Sequence, residues 1–354
     1  AFNLVQPAML AAIIAFWMLV PTAWSETPWA VIGITIGLTA LILGLEWVNE
    51  RHASWRLTGR EFATDLFYMV LNLTAISWLS RTLAEEPMLA AKKALGISTE
   101  WAMQMPFILQ VALVFFLIEF GQYWMHRLMH KNYVFWLTHS PHHHLTQLNA
   151  MKGAVGNPIE LFLISLSVVA LFDVPLAAVF CAVNLLSAVS TFAHANVQTY
   201  PPRWYSYLFT TIEHHSLHHS ATYADNFCNY GNSLILLDRI FGTYRDGAAE
   251  AVGQGERVRL SVREQWLFPF VPAIDRIQSK RAQNTAAARC RCPLPSPVQT
   301  RARRSGSLPA VIRPEPSSAS TLQLRVDLAR FKPRRALSAW CRHSRPAAAT
   351  GYTR

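Results

Sequence analysis

Charged residues are scarce in this sequence. They make up 15% of its 354 residues, against about 25% in an average soluble domain, while 52% are hydrophobic. That balance argues against an ordinary soluble globule and directs attention to apolar runs. Cysteine is sparse too. Cys181, Cys228, Cys290, Cys292 and Cys341 show no paired spacing, which excludes a disulfide framework. The usage fits a reducing, cytoplasm-facing protein, and the CxC at 290–292 is too little for a metal site on its own. No GxGxxG dinucleotide fingerprint and no haem-binding domain is recognisable, so any redox chemistry would need electrons from outside the chain.

The formal charge of +11 is unevenly spread. From Asp275 onward there are 17 Lys and Arg against 3 Asp and Glu, leaving 15 basic and 18 acidic residues in the rest. The basicity therefore belongs to the end of the chain, and no nucleic-acid partner is expected for the body.

What is present is a series of apolar runs. Residues 5–24 carry no charge and, as a helix, would reach across the roughly 30 Å of a bilayer core. No basic segment precedes them and a second run, 28–45, follows at once, which disfavours a signal peptide. Further runs cover about 66–80 and 105–125, with Trp and Tyr near several ends as interfacial anchors. An apolar block at 159–193 is interrupted by Asp173 and Pro175. Each half is short for a span, so it reads as a helical hairpin dipping into the bilayer. Arg51, Arg56 and Arg60 lie between the second and third runs, and the positive-inside rule places that loop in the cytoplasm. Counting onward puts residue 126, residue 194 and the chain beyond residue 194 on the same side.

Eleven of thirteen histidines fall between 126 and 219. His126 and His130 are i, i+4; His139, His142 and His143 form HxxHH, as do His215, His218 and His219. On helices each set shares one face. Imidazole suits iron, zinc and copper, and eight box histidines are too many for one ion, so two adjacent metals are expected. Protonated, so many neighbours would repel; metals would keep them neutral. Between 126 and 219 the only carboxylates are Glu160, Asp173 and Glu213, which excludes a carboxylate-bridged di-iron bundle. A structural zinc site would be richer in cysteine. His144 and His214 flank the boxes about 100° off the ligand face; since His214 to His218 is also i, i+4, a shifted register stays open.

In order, GQYWMHRLMH, HSPHH, FAHAN, EHHSLHH and NYGNSLILLDRIFGTY resemble the fatty acid hydroxylase / sterol desaturase superfamily, membrane-bound non-haem di-iron enzymes acting on lipids. The resemblance covers about 110–247. It implies four transmembrane helices beneath a cytoplasmic cap. It implies that His126, His130, His139, His142, His143, His215, His218 and His219 are iron ligands. His194 would be a further ligand, with Asn196 behind the ligands. Two positions depart from the pattern: His144 stands where Ser is usual, and Leu237 where an aromatic is common.

The expected protein is thus an all-α integral membrane protein. It has about four transmembrane helices, a membrane-dipping helical hairpin, and a cytoplasmic helical cap holding a histidine-rich dimetal site. The expected divisions are N-terminal helices and loops at 1–104, a catalytic domain at 105–247, an extension at 248–279 and a basic, disordered tail at 280–354. Its cofactors would be two Fe(II) ions with O2 as co-substrate. Its partners would be a lipid and a reductase, ferredoxin or cytochrome-type electron donor, in a bacterial inner membrane or its equivalent. The metal ligands would be the nine histidines 126, 130, 139, 142, 143, 194, 215, 218 and 219, with His144, His214 and Asn196 supporting them. Hydroxylation is the leading reaction and desaturation, as in a C-5 sterol desaturase, the near alternative. A metal-transport protein is more distant, because transport sites lie near the midplane on broken helices and these histidines cluster beyond the helix ends.

Overall fold

A computed structural model of the chain describes residues 2–254 and 257–275. They form two units: residues 2–254 with 257–268, and the short helical stretch 269–275. The histidine-rich region lies wholly in the first. The expected tail at 280–354 lies outside the described residues.

The described residues are helical and contain no strand. The main elements are α1 (Val5–Leu19), α2 (Pro28–Val48), α3 (Gly59–Ala94), α4 (Phe107–Lys131), α5 (Tyr133–His143), α6 (Pro158–Ser165), α7 (Leu176–His194) and α8 (Ile212–His218). Five stretches are long and apolar enough to cross a membrane: Phe2–Leu19, which contains α1, and α2, α3, α4 and α7. Their outward faces carry exposed Leu19, Trp29, Trp47, Val70 and Phe116, side chains that lipid would cover. The expected 159–193 hairpin corresponds to α6 and α7, but the reading of both arms as too short to span is corrected: the second arm, at 19 residues, is long and apolar enough to cross, giving five candidate spans where about four were expected.

The boundaries follow from local chemistry. Pro28 opens α2, where a missing N–H costs nothing. Thr58 caps α3 through its hydroxyl, which accepts from Glu61 N at 3.3 Å. Asn132 ends α4 and caps α5 by accepting from Val134 N and Phe135 N. Within α3, π turns at Asn72–Ile76 and Arg81–Glu85 widen the helix. At the first, Asn72 donates to Tyr68 O and to Ala154 O across the fold.

The helix α7 is the central post, packed against α1, α2 and α4. Its buried face alternates small and branched residues, including Ala178, Cys181, Ala182, Leu185 and Ala188, which lets neighbouring backbones approach closely. A polar knot pins three spans together. Trp17 Nε1 donates to Asn184 Oδ1 at 2.9 Å, and the same amide donates to Val31 O and Thr35 Oγ.

The ends of α2, α3, α4 and α7 that meet the histidine-bearing segments lie together, and buried carboxylates lace them. Glu46 near the end of α2 accepts from Ala150 N and Asn196 N. Glu119 of α4 accepts from Ser233 N and Leu234 N. At the start of α3, Glu61 and Asp65 both receive Lys152 Nζ, and Arg259 also reaches Glu61. At the opposite end of α3, Lys92 and Thr99 hold Asp173 at the hairpin tip, at 2.6 and 2.8 Å. Along a helix, Glu61 and Lys92 are roughly 45 Å apart, so the hairpin runs the full depth of the helical bundle.

Lys152 is 1% exposed between two carboxylates. Replacing it by Ala leaves the fully buried Asp65 without a cation and Glu61 with Arg259 alone, which costs about 3–5 kcal/mol. Thermal unfolding of Lys152→Ala in detergent is expected to show that loss; an unchanged midpoint would mean the network is solvated and contributes little.

Candidate metal centre

The nine histidines named from spacing and resemblance all meet. His126, His130, His139, His143 and His218 place five ring nitrogens within 4.8 Å of one another. His142, His194, His215 and His219 form a second group by the same measure. All nine are buried. The groups adjoin: His143 of the first stacks on His219 of the second with centroids 4.5 Å apart and planes 17° apart.

Helical geometry explains the division. Residues i and i+4 diverge by about 40° around a helix, whereas adjacent residues diverge by about 100°. His139 and His143 therefore share the first group while His142 turns to the second. In the other box His215 and His219 share the second group while His218 turns to the first. Each HxxHH box presents one face, and that face straddles both groups.

The protonation pattern is set from behind. His126 Nδ1 lies 2.7 Å from Tyr230 O, His142 Nδ1 2.7 Å from Val155 O and His218 Nδ1 2.7 Å from Cys228 O. His194 Nδ1 lies 2.8 Å from Ser190 O. A carbonyl only accepts, so in each ring Nδ1 carries the proton and Nε2 offers a lone pair. Those lone pairs converge: Nε2 of His126 and of His218 are 3.0 Å apart. Two acceptors at that distance repel unless a cation lies between them. His130, 1% exposed, takes no protein hydrogen bond on either nitrogen, and an orphaned buried imidazole is costly. The donor set thus fits metal ions, one per group, and imidazole nitrogen is a ligand of iron, zinc and copper.

Two further side chains complete the support. Glu160 accepts from His139 Nδ1 at 2.6 Å and from Asn157 N at 3.2 Å, within the capping box of α6. A carboxylate behind a metal-binding histidine fixes its ring and raises its basicity. Gly156 is required here, since a β-carbon would collide with the Glu160 carboxylate. Asn226, oriented by its neighbours, accepts from His143 Nδ1 and Gln254 Nε2, each at 3.0 Å. Neither role was legible in the spacing: Glu160 lies 21 residues from its partner and Asn226 83. Asp238 works at one more remove, accepting from Tyr230 N, Gly231 N and Thr243 Oγ, which holds the turn whose carbonyl fixes His126. The adjacent Arg239 turns away from Asp238, to Tyr207 O and the Tyr244 ring.

His144, His214 and Asn196 lie outside both groups. His144 bonds Ser140 O, His214 caps its own helix at Thr211, and Asn196 exchanges two hydrogen bonds with the His52 backbone. The shifted register using His214 is not adopted. Glu119 is fully buried.

Burial pushes the cap histidines down from 6.5: His139 to about 3, and His143, His215, His218 and His219 well below their ordinary value, with neighbouring imidazoles adding to the shift in the latter four.

Residues 111–243, which contain all nine histidines, match the family model described as fatty acid hydroxylase. The chain is 26% identical over 222 residues to an ornithine lipid hydroxylase of Rhizobium tropici, covering 60% of this chain and 66% of that protein. It is 31% identical over 134 residues to the alkylglycerol monooxygenase of Homo sapiens, covering 36% and 28%. It is 27% identical over 160 residues to a very-long-chain aldehyde decarbonylase of Oryza sativa subsp. indica, covering 42% and 58%. The chain therefore spans 28% to 66% of the length of these curated relatives. No solved structure matches.

Two outcomes are expected. Glu160→Gln keeps the shape but removes the carboxylate behind His139, and should weaken metal retention about 10–100-fold in equilibrium dialysis. Acidification should destabilise the metal-free protein. The unfolded chain binds protons below about pH 6.5 while the buried rings do not, so their stability contribution is complete above 6.5 and erodes as pH falls, toward 3 for His139. Thermal melts should fall below about pH 6.5 with a slope steeper than one proton.

Proposed function

We propose, from the match of residues 111–243 to the fatty acid hydroxylase family, that the chain is a member of the fatty acid hydroxylase / sterol desaturase superfamily and a membrane-bound non-haem di-iron oxygenase that hydroxylates a C–H bond of a lipid. One observation carries this reading: two converging groups of histidine lone pairs lie about one helical turn beyond a largely apolar cavity of about 580 Å³. That volume lies within the usual range for small-molecule sites. One iron would be held by His126, His130, His139, His143 and His218, the other by His142, His194, His215 and His219. Iron bound there supplies the activation of O2, a step beyond any side chain. In sum, a lipid C–H, O2, two electrons and two protons give an alcohol and water.

The chain's own residues prepare the site. The carbonyls of Tyr230, Val155, Cys228 and Ser190 hold protons on Nδ1, so every Nε2 behind them stays available. Trp136 and Tyr230 flank His130, with ring centroids at 5.2 Å, and help exclude water. Electrons come from an external reductase, ferredoxin or cytochrome-type donor. Arg51 of the basic loop reaches Glu213 on α8 at 3.4 Å, which ties the histidine side to the Arg51, Arg56 and Arg60 loop. The positive-inside rule then turns the metal centre to the cytoplasm of a bacterial inner membrane or its equivalent. The names of two relatives, an ornithine lipid hydroxylase and an alkylglycerol monooxygenase, support a lipid substrate.

Purified protein in lipid nanodiscs is expected to carry iron and to consume O2 and NADPH when given a reductase system. Lipidomics of a deletion strain should show a species lighter by one oxygen. Metal-dependent flux without oxygen uptake would overturn the reading. His218→Ala should still insert but lose iron and product more than about 100-fold, beyond the loss expected for a residue behind a ligand; full activity would remove His218 from the ligand set.

A further inference from the structure

The cavity has a direction. One wall is a stripe on α7 at Leu176, Val179, Val183, Ser187 and Ser190, and the next turn of that face carries His194. The facing wall is Ile118 and Gln122 of α4, and the next turn there carries His126. The slot therefore runs roughly 20 Å along α7 and points at the metal centre. Contact is close at that end: a β-carbon on Gly153, which lines the slot, would sit 3.1 Å from His194 Nδ1.

Polarity changes along this length. The histidine end is lined by Gln122, Ser187, Ser190, Asn232 and Ser233, and the far end by Val169, Ala170, Phe172, Val174 and Leu176. Ser165 and Ser167, midway, bond their own backbone neighbourhood. Glu85 is an exposed residue of the far rim. At the histidine end the Asn232 amide makes one long 3.4 Å bond to Gln122. Among the described residues the Ser187 and Ser190 hydroxyls and the Gln122 amide nitrogen have no other partner. No Lys or Arg lines the slot among the described residues. Leu176 and Val183 are partly exposed, which leaves one side open toward lipid.

Resting on the lipid-oxygenase reading, we propose that the slot holds its substrate head first: an uncharged hydrogen-bonding segment (ester, amide, ether or alcohol) lies between Gln122, Asn232 and Ser190, and the alkyl chain runs toward Leu176. The carbon presented to the metal centre is then one adjoining the head segment and not one in the middle or at the tip of the chain. Two physical facts favour this orientation over its reverse. Unpaired amide and hydroxyl groups beside an alkyl chain would waste their hydrogen bonds. A lipid lying parallel to the spans also has its head at the interface, where α4 and α7 end, so entry from that leaflet needs no inversion. A bare carboxylate or phosphate finds no cation here.

The test uses the full chain in nanodiscs with two photoreactive palmitamides, one bearing a diazirine beside the amide and one at the methyl terminus. The amide-end probe is expected to label Ser187, Ser190 or Asn232, and the methyl-end probe Leu89, Phe172 or Leu176, as mapped by peptide mass spectrometry. The opposite pattern, uniform labelling, or no labelling inside the slot would each overturn the proposal. In competition against the amide-end probe, palmitamide should outcompete palmitate. Gln122→Leu combined with Asn232→Leu should weaken palmitamide about tenfold, as for one or two lost hydrogen bonds, while leaving iron content unchanged. Labelling is independent of turnover. Protein that binds iron and hydroxylates but labels in reverse sinks this inference alone; correct labelling without oxygen chemistry sinks the oxygenase reading alone.

Discussion

The structure depends on a set of short hydrogen bonds that face away from the metal centre. Backbone carbonyls of Tyr230, Val155, Cys228 and Ser190 take the Nδ1 proton of four histidines, and Glu160 takes a fifth. Each bond decides which nitrogen keeps its lone pair and orients a ring that otherwise turns freely about two bonds. The result is a cavity lined with acceptors at contact distance. Such an arrangement is unfavourable as bare protein and favourable around cations, which is why the two groups fit metal ions. The carbonyls of Val155, Cys228 and Tyr230 are free for this duty because they lie outside the helices, where no i+4 donor claims them.

The same logic extends outward. Buried carboxylates of the spans bind loop amides: Glu46 holds Ala150 and Asn196, and Glu119 holds Ser233 and Leu234. Lys152, clamped by Glu61 and Asp65, sets the loop that brings Gly153 against His194. The apolar bundle fixes depth and direction, and these anchors transfer its precision to the histidine-bearing segments.

Much of this was legible in the sequence, for identifiable reasons. Long uncharged runs have one economical conformation in lipid, so α1, α2 and α4 follow from hydropathy alone. Spacing within the boxes marked the histidines that converge, since i, i+3 and i+4 positions must share a helix face. What stayed hidden depended on contacts between distant segments. The division of each HxxHH box between two groups requires knowing how α5 and α8 face one another. Glu160 looked like an isolated carboxylate until α6 folded beneath His139, and Asn226 carried no signal because its partner comes from another helix. The full length of α7 was obscured by Asp173 and Pro175, which mark the hairpin tip at the far end of the bundle and leave the second arm unbroken.

The sharing of the two boxes has a structural consequence. Docking α5 supplies His139 and His143 to one group and His142 to the other; docking α8 supplies His218 to the first and His215 with His219 to the second. Neither site can be assembled while the other is missing a helix. The two halves of the centre are therefore completed by the docking of the same two helices, α5 and α8.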